Sequence, residues 1–162
     1  MTIADIYDYF TPIEAAIVQV FDAQEIVCWT PLRDPEFQKQ RPRVEAVLMP
    51  GAGKVRLLPQ AGRRSAPGHL REQARNASLV INVITEANIT LHRAYVARVI
   101  YLLDTMAHDA QATGLIPNHF IAALRCNGGQ LDYKPEEGLF NSTLNCDLDF
   151  SVRTTAWAEL AT

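Results

Sequence analysis

Residues 143–154 read TLNCDLDFSVRT, and their alternation sets the architecture. Leu144, Cys146, Leu148, Phe150 and Val152 alternate with Asn145, Asp147, Asp149, Ser151 and Arg153. Side chains along a strand point to opposite faces in turn, so the pattern predicts a strand with one buried and one polar face. A sheet with a single apolar face needs one covering layer, and the sequence upstream supplies helices for it.

The clearest helix is predicted over about 90–113. Leu91, Ala94, Tyr95, Val99, Leu102, Leu103 and Met106 form its stripe, Gly114 sits where a C-terminal glycine cap belongs, and Pro117 follows. A second helix is expected over about 12–23, with Thr11 as N-cap, Pro12 at the first helical position and Glu14 closing a capping box. Before it, Ile3, Ile6, Tyr7 and Phe10 have helical spacing. Strands are expected at 25–29, 43–49, 55–58 and 77–85, the last rich in β-branched residues. Gly51 and Gly53 suggest a hairpin between 43–49 and 55–58. Residues 30–42 and 59–74 read as loops, and His119–Cys126 as a strand turning at Asn127-Gly128-Gly129. The fold class expected is α+β: one domain over 1–162, a mostly antiparallel or mixed sheet, and the N-terminal and long helices packed on one face.

Composition narrows the function. A chain of 162 residues buries roughly 70% of the surface its unfolded form exposes, enough for one real core. No apolar run reaches the roughly 20 residues needed to cross a bilayer, and the acidic start MTIADIYDYF does not match a secretory signal, so residence in a cytoplasm is expected. Cys28, Cys126 and Cys146 are too widely spaced for a CxxC pair and read as reduced, structural thiols. The net charge of −3 excludes a globally basic nucleic-acid binder. Charge is uneven all the same. Lys54, Arg56, Arg63, Arg64, Arg71 and Arg75 face only Glu72, whereas Asp132, Glu136, Glu137, Asp147, Asp149 and Glu159 face only Lys134 and Arg153. The default reading is two solvated surfaces; the sharper one is complementary patches that meet between copies.

Motifs for chemistry fail on inspection. MPGAGKVRLLP at 49–59 has the Gly-Lys of a phosphate loop, but Leu48 stands where its first glycine belongs and Val55 where Ser or Thr should bind magnesium. Asp147 and Asp149 share the DxD spacing of phosphoryl-transferring hydrolases, but that motif opens an α/β fold and here it closes the chain. His69, His92, His108 and His119 form no metal-ligand spacing, and Ser65, Ser78, Ser142 and Ser151 lack a nucleophile elbow. No catalytic, cofactor or metal site is therefore assigned. The 59–75 loop has arginines but no interleaved aromatic to stack bases.

Thr11-Pro12-Ile13-Glu14, the strand ASLVINVIT leading into the long helix, and the ending Leu148-Asp-Phe-Ser-Val-Arg-Thr-Thr-Ala-Trp157 together resemble the tail terminator (tail completion) proteins of tailed bacteriophages. The resemblance covers nearly the whole chain. It implies a structural virion protein, not an enzyme, assembled in the host cytoplasm. Such a protein forms a hexameric ring that caps the tail tube, ends its polymerisation and offers a surface for head–tail joining. Its implied partners are other copies of itself, the tail tube protein, the head–tail connector and DNA in the lumen. On this reading Arg56, Arg63, Arg64 and Arg71 meet Asp132, Glu136, Glu137, Asp147 and Asp149 of a neighbour, and Trp157 anchors an interface or the core. Another neck protein, such as a head-completion or adaptor subunit, is the alternative within this class; a small enzyme with a dispersed site is the alternative outside it.

Overall fold

The computed structural model describes residues 10–50, 71–113, 119–134 and 136–154. In these, helix α1 (Thr11–Ala23) leads to a two-residue strand β1 (Cys28–Trp29), a 3-10 turn (Pro35–Lys39) and strand β2 (Arg43–Pro50). Strand β3 (Arg71–Glu86), helix α2 (Ile89–Thr113), strand β4 (His119–Lys134) and strand β5 (Leu139–Thr154) follow. The strands make one mixed sheet in the order β1-β2-β3-β5-β4. β1 lies parallel to β2, and every other pairing is antiparallel.

The alternation that predicted the last strand extends through the sheet. Val44 and Ala46 of β2, Ala77, Leu79, Ile81 and Val83 of β3, and Leu144, Cys146, Leu148 and Phe150 of β5 are buried on one face. In one core with them lie Ile13, Ile17 and Phe21 of α1 and Val99, Leu102, Leu103 and Met106 of α2. The opposite face is polar and laced across the central ladder: Asn76 donates to Asp149 (2.8 Å) and Thr143 to Asn82 (2.7 Å). The α+β architecture with both helices on one face of a mixed sheet is thus as expected.

Several local expectations change. Phe10, not Thr11, is the N-cap of α1, and it makes no side-chain cap bond. Its ring meets Phe150 edge-on at 6.3 Å, so packing fixes this helix end in place of a capping box. The strand at 25–29 shrinks to Cys28–Trp29, because Gln24 and Glu25 complete the end of α1. β3 begins at Arg71, so residues 71–74 belong to the sheet and not to a loop. β2 pairs antiparallel with β3, and the hairpin expected between 43–49 and 55–58 falls partly outside the described residues. Gly128-Gly129 is not a turn: β4 runs on to Lys134 with an irregularity between Cys126 and Gly129, and the chain reverses at 136–138, where Gly138 has φ +63°. On α2, Leu91 and Ala94 face solvent and His92 takes the inward position. The amphipathic piece at Ile3, Ile6 and Tyr7, the strand at 55–58, residues 59–70 and Trp157 lie outside the described residues.

Arg33 ties the 30–39 segment to the body of the protein. Its guanidinium bonds Asp22 at 3.0 Å and the carbonyl of Cys28 at 2.8 Å, and lies 4.0 Å from the centre of the Phe37 ring. Arg98 donates to the carbonyl of Gln24 at 3.0 Å and joins α2 to the end of α1.

Candidate functional site

Helix α2 starts with a side-chain cap, the amide of Leu91 donating to Asn88 Oδ1 at 3.1 Å. One turn on, His92 sits inside the protein between β3 and β5. Thr85 Oγ1 donates to the carbonyl of Glu86 at 3.0 Å, and a hydroxyl has one proton. Thr85 therefore accepts from His92 Nδ1–H at 2.7 Å, which leaves Nε2 to accept the Ser142 hydroxyl proton at 2.7 Å. Burial holds the imidazole below its ordinary pKa of 6.5, so the ring is neutral at pH 7. Phe140 lies 5.5 Å from this ring and Tyr133 lies 4.8 Å from Phe140, a row of rings running from α2 to the edge strand β4.

A serine donating to a histidine whose far nitrogen is oriented by a third group has the connectivity of a hydrolytic triad. Here, however, the orienting group is a neutral hydroxyl, and Ser142 is only 7% exposed in the middle of a paired strand. The bridge does a different job: it satisfies three buried polar side chains while pinning α2 to β3 and β5.

Beside this bridge the helix and sheet part. Val96 and Ile100 of α2 face Leu131 of β4 across an open groove, with Ser142 in its floor. The groove has one part of about 310 Å³ toward Ile89 and Arg93, and one of about 420 Å³ toward Cys126, Gly129 and Leu144. Ile100 is 41% exposed, Leu131 50% and Tyr133 52%, so apolar surface continues out of the groove to the sheet edge. Cys126 stands opposite Cys146 in register. Interaction between the two thiols lowers the Cys126 pKa, and together with burial raises that of Cys146. Burial pushes Cys28 to about 12. All three cysteines are free.

The residues singled out from charge fall in separate places. Asp132, Glu136 and Glu137 are exposed around the β4–β5 turn. Asp147 and Asp149 lie on the helix-free face of β5, opposite Arg125 and Ala123 of β4. Asp149 is eight positions along β5 from Asn141, the partner of Asp132, a distance of ~27 Å at the usual strand rise. The acidic region is thus two patches. Arg71 opens β3 opposite Thr154, at the end of the sheet away from the β4–β5 turn; Arg56, Arg63, Arg64 and Trp157 lie outside the described residues. Among the described residues no three His, Cys, Asp or Glu side chains are grouped to hold a metal, and no helix is long and apolar enough to cross a membrane.

Sequence reasoning missed His92 because it ranked Leu91 above it as the inward residue. The signal was present in the strand: the period-two alternation of 144–152 continues backward through Ser142 and Phe140, placing a hydroxyl among the core positions.

The fold defines a two-layer α+β protein with an open groove between its long helix and the edge of its sheet. No family model and no curated protein matches the sequence. The fold is shared with a chain from the virion of a native gene transfer agent (GTA) particle, at a TM-score of 0.54 and 12% identity, over 91% of this chain and 99% of that one. A second solved structure is 15% identical over 88% of this chain and 94% of its own, with a TM-score of 0.38.

Proposed function

We propose that this chain is a structural virion protein: a subunit of a ring that caps the tail tube, ends its polymerisation and presents the surface for head–tail joining. The observation that carries this reading is the match of folds with a virion chain over 91% of one and 99% of the other. The open groove and the half-exposed Leu131 and Tyr133 at the sheet edge add to it, since apolar surface of this kind marks a protein that assembles. Its partners are further copies of itself, the tail tube protein and the head–tail connector, with DNA passing through the lumen and the whole built in the host cytoplasm before it becomes part of the virion neck.

Native mass spectrometry with negative-stain imaging, over a range of protein and salt concentrations, tests the reading. A closed ring of about six copies is the expected result, because head-to-tail contacts close only at a fixed rotation. A ring of twelve would point instead to an adaptor between head and tail. A monomer under every condition, modified at Ser142 by a serine-directed phosphonate, would replace the structural reading with an enzymatic one.

A further inference from the structure

The sheet, among the described residues, has open edges on both sides. Among the described residues β4 pairs only with β5, so one side of this 16-residue strand carries unpaired backbone groups, and no proline interrupts it. At the other side, among the described residues, β1 covers β2 only at Val44 and Glu45, leaving 46–49 open. Edge strands are usually blunted, since a free row of N–H and C=O groups is a template for another chain. Pro50 and the register shifts of β4 blunt these edges in part, yet both carry apolar side chains on the same, helix-bearing face: Leu48 on β2, partly buried against the core, and Leu131 and Tyr133 on β4.

We infer that the free edge of β2 in one copy pairs antiparallel with β4 of the next, seating its Leu48 in the groove between α2 and β4. Direction follows from topology. β2 opposes β3, β3 opposes β5, and β5 opposes β4, so β2 and β4 run in opposite senses. A second copy rotated about an axis along the strands therefore brings its β2 to β4 as an antiparallel pair. Level follows from register. Leu48 is aligned through Leu79 and Cys146 with Cys126, and Ala46 through Ile81 and Leu144 with Gly129. Cys126 and Gly129 line the wider part of the groove. Each copy uses β4 once and β2 once, the heterologous contact from which a ring closes. The inference rests on the ring reading for closure, though not for the pairing itself.

The test uses the full chain. Met49 and Arg125, exposed and level with each other on the helix-free face, become cysteines in one double variant, which is oxidised with copper phenanthroline. A ladder of disulfide-linked multimers is expected from Met49→Cys/Arg125→Cys, with neither single variant passing the dimer. In the wild type, hydrogen exchange should slow at 46–49 and 124–131 when dilute protein is concentrated into the ring. Leu131→Lys should weaken assembly about tenfold, the loss of burying half a leucine, with an unchanged circular dichroism spectrum. A ring of normal mass without the ladder and without protection at these edges overturns the pairing and leaves the ring standing. A chain that stays monomeric at all concentrations, with or without oxidant, overturns both.

Discussion

His92 joins α2 to β3 and β5, and the satisfaction of three buried side chains depends on its protonation state. Its folded pKa lies below 6.5, so below that pH the unfolded chain takes up a proton more readily than the folded one. Its contribution is therefore fully present above pH 6.5 and is lost as pH falls through the window from 6.5 to the depressed folded value. Urea denaturation across this window should show stability declining with acid, and His92→Gln should flatten that part of the profile. Ser142→Ala leaves Nε2 without its donor and should cost about 1–3 kcal/mol at neutral pH, the penalty for an unsatisfied buried acceptor. None of this was legible from His92 alone. A histidine within a helical stripe looks like a surface residue until the hydroxyls that satisfy it are known to lie on strands 7 and 50 positions away in the chain.

Elements were read best where the apolar period was long. The 143–154 alternation and the α2 stripe were both found, since each repeats over several turns or pairs and packing enforces it. Ends and reversals were read worst, because the same residues serve different geometries. Gly128-Gly129 resembles a turn, yet a glycine pair also suits a bulge, and an added Cβ at Gly129 would stand 2.9 Å from Leu144 Cδ2 and 3.2 Å from the carbonyl of Thr143. The C-terminus of α1 is the converse case. Ile26 N–H bonds the carbonyl of Phe21, and Glu25 N–H that of Asp22, each at 3.0 Å, with Glu25 at φ +58°. This is a Schellman ending with glutamate where glycine is usual, so sequence could not announce it. Glu25→Gly should raise stability by about 0.5–1 kcal/mol, the relief of left-handed strain less the extra entropy glycine has when unfolded. A thermal melt of the two proteins checks it.

At the scale of the molecule, charge and shape assign different tasks to different surfaces. The acidic residues divide between the β4–β5 turn and the helix-free face, so a neighbour's basic segment has two separate patches to meet. If the 54–75 segment is that partner, Arg63→Glu/Arg64→Glu should block ring formation while leaving the monomer folded, as read by native mass and circular dichroism. Unchanged assembly would remove those arginines from the interface and leave the strand edges to carry it. The sheet order was beyond sequence for a related reason: periodicity says which face of a strand is buried but not which strand lies beside it. That order has a consequence for synthesis. β5, made after every other described strand, is an interior one, standing between β3 and β4, and its partners on β3 are 53 to 83 positions upstream. A nascent chain still lacking 139–154 holds β3 and β4 with nothing between them, so the sheet that bears the two edges is completed only when translation has delivered its centre. Joining to other copies through those edges is thereby deferred until β5 has taken its place.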